Sequence, residues 1–314
     1  PETSYERQRD EFFRILAGPD PAQGMADCRQ YRIFDTLIPP LVEETLVPAS
    51  PPHIYPLYEH TLKTVEYYDV ILSRIAEKEE DGSAPCWQQA MIESLSEFSH
   101  YISEYFAEEI TLGRSKRSLA LLGALLHDVG KPQTVELGED GRLHFYNHAS
   151  IGADITWDAA KRLQLSNAES EWLRKFVQFH HFGHILLINP DNLPSRQSIY
   201  RFFTKSEDVG VAIALFSLAD TLSTLDETLS KDKWEKAVTI SRSLLSAWWQ
   251  QRDTVVTPEL LLNGDDLQEI FGLAPGKKIG WLLEELKEAQ ASGEVGSEEQ
   301  ARDFILDRVD GDLQ

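Results

Sequence analysis

The chain has 314 residues, with 30 Lys and Arg against 52 Asp and Glu, for a formal net charge of −22. That length buries a substantial core as one large domain or two small ones, and 42% hydrophobic with 10% aromatic residues excludes a disordered or collagen-like chain. A charge this negative repels phosphate backbones at long range, which argues against an extensive nucleic-acid surface while allowing a local basic or metal-lined pocket.

The opening residues, Pro1 to Arg7, are polar and acidic where an export signal needs basic residues followed by an apolar run. No uninterrupted apolar stretch of about 18 residues occurs, so a cytoplasmic protein without a membrane segment is expected. Cys28 and Cys86 are spaced for neither a CxxC redox site nor a thiolate zinc site and are expected as free thiols.

In chain order, Ser4 can cap a helix over Ser4–Ala17, which Gly18-Pro19 stops, and a second helix is expected over Ala22–Thr36. A proline-rich loop (Pro39 to Pro56) leads to a helix from Leu57 to about Ala76, with His60 in its first turn. Trp87–Leu112 reads as one amphipathic helix, and Ser118–Val129, apolar almost all round, as a helix buried on every face. Alternating residues on either side of Asp140-Gly141 predict a hairpin from Val135 to Phe145, the only convincing strand signal. Helices follow over His148–Leu163, Asn167–His181, Val209–Leu225 and Lys233–Trp249, then two short ones over Thr257–Gln268 and Lys277–Gln290. The expected fold is all-α: a helical bundle with one small β-hairpin and additional N- and C-terminal helices, divided as 1–50, 51–230 and 231–314.

Two carboxylates stand out. Asp128 follows His127 at the end of the most hydrophobic helix, and Asp220 interrupts the apolar run from Val211 to Ala219. A buried carboxylate without a partner costs several kcal/mol, so each must be hydrogen-bonded, ion-paired or on a metal. His60, His127, His148, His180 and His181 stand at helix starts or ends, with His184 close behind. Mixed imidazole and carboxylate ligands suit divalent transition metals, and an Asp can bridge two ions about 3.5–4 Å apart. His53, His100 and His144 read as hydrogen-bonded or capping residues.

His60, His127-Asp128 and Asp220 resemble the H…HD…D signature of the HD superfamily of metal-dependent phosphohydrolases, and His127-Asp128-Val129-Gly130-Lys131-Pro132 is similar to its HD-x-G-K-P variant. The resemblance implies that His60, His127, Asp128 and Asp220 bind a first metal. Asp128 would then bridge to a second ion held by His148, His180 and His181. One or two ions, and Mn, Ni, Co, Fe or Mg, are not distinguished.

A closer likeness runs from about Glu6 to Leu306. Phe145 to Ala153 resembles the F-x-G-H-x-x-x-G-A stretch of the bacterial tRNA nucleotidyltransferase/poly(A) polymerase family, with Asn147 in place of its Gly. Leu262 to Leu267 and Leu273 to Gly276 are similar to that family's C-terminal G-x-D-L…L-x-P-G-P segment, with Lys277 where a second Pro is common. Nucleotidyl transfer there needs a strand-bearing domain with a glycine loop and a D-x-D pair, which nothing before Tyr31 provides; Asp310-Gly311-Asp312 reads as a solvated tail. The chain is expected to be either the HD-containing half of a longer enzyme or a stand-alone relative that keeps only the hydrolase, and its charge favours the second.

The resemblance implies hydrolysis of a nucleotide or RNA-end phosphate ester by metal-activated water, with Asp128 and Lys131 as catalytic residues. Lys131 could equally be a helix C-terminal cation, Gly130 would permit the turn, and Arg196 and Arg201 could add phosphate contacts. Cyclic-dinucleotide cleavage is disfavoured by the absence of a Gly-Tyr-Pro triplet. The alternative is an RNA-gripping C-terminal part with a structural metal, set against the few cations Lys277, Lys278, Lys287, Arg302 and Arg308 in that segment.

Overall fold

The computed structural model describes residues 4–77, 85–183 and 193–311. The Ser4 hydroxyl accepts from the Arg7 amide and starts helix α1 (Tyr5–Leu16); Asp20 caps α2 (Pro21–Gln30). The helix expected through Thr36 stops at Gln30. Arg32 takes a left-handed φ of 59°, and only the single turns α3 (Phe34–Leu37) and α4 (Pro40–Glu43) follow. The long helix α5 (Leu57–Glu77) matches its apolar spacing.

The single helix expected over Trp87–Leu112 is three pieces: α6 (Cys86–Leu95), a 3-10 turn at Ser96–Phe98 and α7 (Ser99–Ala107). Strand β1 (Glu109–Thr111) then pairs with β2 (Arg114–Ser115) around Gly113, whose φ is 78°. This first hairpin was not anticipated. Apolar spacing persists across the 3-10 turn because Phe98 stays buried, so periodicity hides the break.

In α8 (Lys116–Leu126) every residue except Arg117 is buried. The expected hairpin forms between β3 (Val135–Leu137) and β4 (Leu143–Phe145), with His144 opposite Glu136. A capping box of Ser166 and Glu169 separates α9 (His148–Arg162) from α10 (Asn167–Phe179). Then come α11 (Arg196–Ser206), which was not anticipated although Ile199, Phe202 and Phe203 have helical spacing, α12 (Val209–Leu225) and α13 (Lys231–Gln250). The helix expected from Thr257 begins only at Gly264, where Asn263 caps α14 (Gly264–Phe271). The last two are α15 (Lys277–Ser292) and the unanticipated α16 (Glu298–Gly311).

Two compact units result: residues 1–190 with 209–242, and residues 191–208 with 243–314. In the first, α5 lies against α12 and α8, and α10 packs on α8, α9 and α12. Tyr68 is fully buried and donates its hydroxyl to the Ala212 carbonyl at 2.8 Å, while Phe176 meets Phe216 with ring centroids 5.0 Å apart. Val209–Thr228 is long and apolar enough to cross a membrane by length and composition, and 89% of that window is buried inside the fold. Cys28 is a free, buried thiol, pushed up to about 11 by burial.

The second unit has its own core around Leu267, Leu282, Leu286, Ala301 and Ile305. Arg196 donates to the Ala291 and Thr254 carbonyls, and Arg201 pairs with Glu288 at 2.5 Å, all within the unit.

Two close approaches in the first unit are testable. A Cβ on Gly123 would lie 2.7 Å from the buried Phe176 ring. Gly123→Ala gains about 1 kcal/mol of helix propensity but overpacks by about 1–3 kcal/mol, so denaturant titration is expected to show a net loss; a stabilised variant contradicts the close approach. Arg114 meets Glu169 through two hydrogen bonds, at 2.5 and 3.2 Å. Burial pushes the Glu169 carboxyl up, but Arg114 and Ser166 outweigh it and hold it below its ordinary 4.5. Arg114→Met leaves that carboxylate buried without a cationic partner, with only the Ser166 cap to satisfy it, at a cost of about 3–5 kcal/mol near neutral pH. The pair's contribution is complete above the unfolded-state pKa and lost as pH falls through the lower folded value. The stability gap between wild type and Arg114→Met, followed by urea unfolding, is therefore expected to close below about pH 4.

Candidate metal centre

Five helices of the first unit, at their ends or interiors, point side chains at one spot. His60 comes from the first turn of α5, and His127 and Asp128 directly follow α8. His148 opens α9, His180 and His181 follow α10, and Asp220 projects from the interior of α12. All but the half-buried His181 are buried. Asn147 reaches the start of α9 with φ 61°, the left-handed conformation that glycine or asparagine tolerates best, which accounts for Asn at a position where glycine is usual. Gly130 has an ordinary φ of −83°, so turn freedom is not its role. A Cβ there would meet the His148 carbonyl oxygen at 2.2 Å, and the glycine lets the HD turn press against the start of α9.

Three imidazoles are aimed by the backbone. His127 Nδ1 lies 2.7 Å from the Ala124 carbonyl, His148 Nδ1 2.7 Å from that of Phe145, and His180 Nδ1 2.6 Å from that of Val177. Each carbonyl takes an Nδ1–H, which turns Nε2 inward, as in metal-ligating histidines.

Asp128 stands between two groups. Its Oδ2 is 3.1 Å from His127 Nε2 and 3.6 Å from His60 Nε2; its Oδ1 is 3.5 Å from His148 Nε2 and 3.7 Å from His180 Nε2. Asp220 Oδ1 completes the first group, 3.3 Å from His60 Nε2 and 3.9 Å from His127 Nε2. His181 borders the second, its ring centroid 4.3 Å from those of both His148 and His180. One ligand atom from each of His60, His127 and Asp128 lies within 4.8 Å of the others, and the same holds for Asp128, His148, His180 and His181. All seven residues expected as metal ligands thus converge.

The donor set fits a cation better than it fits itself. Asp128 Oδ1, His148 Nε2 and His180 Nε2 are buried and have no hydrogen-bond partner among the described residues. Leaving such groups unpaired costs about 1–3 kcal/mol each, and a divalent ion would satisfy all three. Burial pulls the His60 and His180 imidazoles down and His148 to about 4, keeping them neutral as ligands must be. His127 behaves differently: burial opposes its charge, but Asp128 draws it up to about 9. Burial likewise pushes the Asp128 carboxyl up, and His127 and Lys131 outweigh it, holding it well below the carboxylate range.

Lys131 Nζ sits 2.5 Å from Asp128 Oδ2 and belongs to a 3-10 turn, so it faces the site rather than capping a helix. Two neighbours had no legible signal. His53, read as an ordinary capping residue, stacks edge-on to His60 at 4.6 Å and brings Nε2 within 3.4 Å of Lys131 Nζ. Burial and then Lys131 pull it down to about 2. Glu44 is fully buried, accepts from the Thr61 hydroxyl at 2.9 Å and is pushed up to about 8 by burial. Both come from the aperiodic, proline-flanked region before α5, where spacing carries no information. His100 is an exposed partner of Glu104, and His184 lies outside the described residues. A cavity of about 630 Å³ opens over Asp128, His148, His181 and Asp220; its other wall is the β3–β4 hairpin with Ser50 to His53.

Comparison with known proteins agrees with this geometry. The HD domain family matches residues 98–225, which contain every proposed ligand except His60, and the family described as tRNA nucleotidyltransferase domain 2 (putative) matches residues 214–305. The chain is 26% identical over 303 residues to the CC-adding tRNA nucleotidyltransferase of Thermus thermophilus and 27% identical over 307 residues to the A-adding tRNA nucleotidyltransferase of Deinococcus radiodurans. These matches take in 96% and 97% of this chain but 56% and 58% of those proteins, so the chain spans little more than half their length. Over 109 residues, 33% of this chain and 13% of the relative, it is 36% identical to the CRISPR system single-strand-specific deoxyribonuclease Cas10/Csm1 (subtype III-A) of Thermococcus onnurineus. Residues 98–225 thus carry an HD domain match, and over nearly its whole length the chain resembles the HD-containing C-terminal half of the bacterial tRNA nucleotidyltransferases.

Proposed function

We propose that the chain is a metal-dependent phosphohydrolase acting on a phosphate ester of a nucleotide or an RNA end. The observation that carries the reading is the division of Asp128, one oxygen toward His60 and His127 and the other toward His148 and His180, with orphaned Nε2 and Oδ1 atoms at its centre. His60, His127, Asp128 and Asp220 would hold one divalent ion, and Asp128, His148, His180 and His181 a second. Such ions supply Lewis-acid polarisation of the phosphoryl group and a low pKa for water. In the hydrolysis the water oxygen bonds to phosphorus, the ester P–O bond breaks, and the proton lost by water ends on the leaving oxygen. The protein's part is positioning: backbone carbonyls hold the imidazoles, and Lys131 offers a cation at the cavity floor for a phosphate oxygen. The relatives support the substrate class, since two are named for acting on tRNA and one on single-stranded DNA.

The match of residues 214–305 to a tRNA nucleotidyltransferase domain favours a second reading, in which the second unit grips RNA and the metal is a structural staple. The two readings separate on turnover. The protein loaded with manganese, nickel or cobalt is expected to hydrolyse an aryl phosphodiester. Asp128→Ala should lose more than about 100-fold, beyond what outer-shell partners cost. An unchanged Asp128→Ala rate overturns the hydrolase, and a salt-sensitive tRNA complex without turnover supports the second reading.

Metal binding has its own readout. With the cation at about 100 times its Kd, linkage adds about 2.7 kcal/mol, so a chelator is expected to lower Tm measurably in wild type and to leave Asp128→Ala and His180→Ala nearly unmoved. Equal chelator shifts in all three proteins would place the ion elsewhere.

A further inference from the structure

The cavity wall facing the ligands is not needed to hold a metal, yet it carries a distinctive set of side chains. His144 and Tyr146 stack with their ring planes 3° apart and centroids at 5.5 Å. Tyr146 is nonetheless 62% exposed, so the stacked pair presents an aromatic surface to solvent at the edge of the cavity. Arg142, on the same hairpin, is also largely exposed; its nearest carboxylate, Asp140, is 3.9 Å away and also lies 3.3 Å from His144 Nε2.

The platform is fixed to the metal centre through the backbone. β3 holds β4 in register, and His148 Nδ1 donates to the Phe145 carbonyl at 2.7 Å. The left-handed turn at Asn147 sets Tyr146 two residues before the ligand His148. An aromatic face and the Lys131 ammonium thus line one cavity of about 630 Å³, within the range of about 300–1,000 Å³ typical of small-ligand sites.

We propose that Tyr146, backed by His144, is a substrate-specificity residue that stacks on the nucleobase next to the scissile phosphate, with Arg142 beside it to meet the flanking phosphate or ribose. This deepens the hydrolase reading above and rests on it. The substrate class becomes a phosphate ester of a nucleoside rather than of a sugar or simple alcohol. Because every base has a π face, discrimination among bases is weak.

The test compares metal-loaded wild type, Tyr146→Ala and Tyr146→Phe on nucleoside 2′,3′-cyclic phosphates and on the base-free cyclic phosphate of glycerol. Base stacking on an aromatic residue is worth about tenfold in affinity, so Tyr146→Ala should cut the ratio of kcat/KM for nucleotide over glycerol ester by about tenfold, mainly through KM. Tyr146→Phe should keep that ratio. An equal effect of Tyr146→Ala on both substrates, or none on either, overturns the proposal. Should wild type hydrolyse neither ester, the hydrolase reading fails, and calorimetric titration of AMP into the metal-loaded protein decides the stacking. About tenfold weaker binding to Tyr146→Ala upholds it, and equal Kd overturns it.

Discussion

A single carboxylate set between four imidazoles organises the first unit. Asp128 is buried, faces His60 and His127 with one oxygen and His148 and His180 with the other, and is held ionised by His127 and Lys131. An ionised group in that position tolerates burial only if cationic charge compensates it from several sides. His127 and Lys131 supply part of that charge, and the neutral imidazoles from α5, α9 and α10 with the Asp220 carboxylate from α12 form a donor set that a divalent ion would complete.

The precision of the centre comes from backbone groups that helices leave over at their ends. The last carbonyls of an α-helix have no intrahelical partner, and His127 and His180, just past α8 and α10, turn back to occupy those of Ala124 and Val177. His148 uses the Phe145 carbonyl at the end of β4 in the same way. One hydrogen bond therefore satisfies an orphan carbonyl, selects a tautomer and aims a ligand. The hairpin that supplies Phe145 also carries Tyr146 and Arg142, so the wall of the cavity and the metal centre share one rigid connection.

Much of this could be read along the chain, and the failures have physical causes. α5, α12 and the β3–β4 hairpin are legible because apolar spacing or alternation runs uninterrupted between clear stops. α6 and α7 fuse in the pattern because a buried Phe98 bridges the 3-10 turn between them. α16 went unseen for the opposite reason: its burial is supplied by the second unit's core, including Ala301 and Ile305, rather than advertised by a strong local stripe. α11, equally unanticipated, does carry a legible stripe of Ile199, Tyr200, Phe202 and Phe203. At the site, helix-end histidines and acids in apolar helices announced themselves by being out of place. His53 and Glu44 did not, since a proline-rich segment has no periodicity against which a polar residue looks wrong.

The residue pattern by itself determined that the chain is helical, that Asp128 and Asp220 require partners, and that an H…HD…D set is present, because helix spacing and the cost of an unpaired buried charge are local properties. Only the tertiary structure decided which oxygen of Asp128 faces which histidines, that Lys131 points into the site rather than at a helix end, that Gly130 is needed for room rather than for a turn, and that a stacked His144–Tyr146 pair borders the cavity. Those outcomes depend on how helix ends far apart in sequence meet, and that is set by packing across the core, which no single segment encodes.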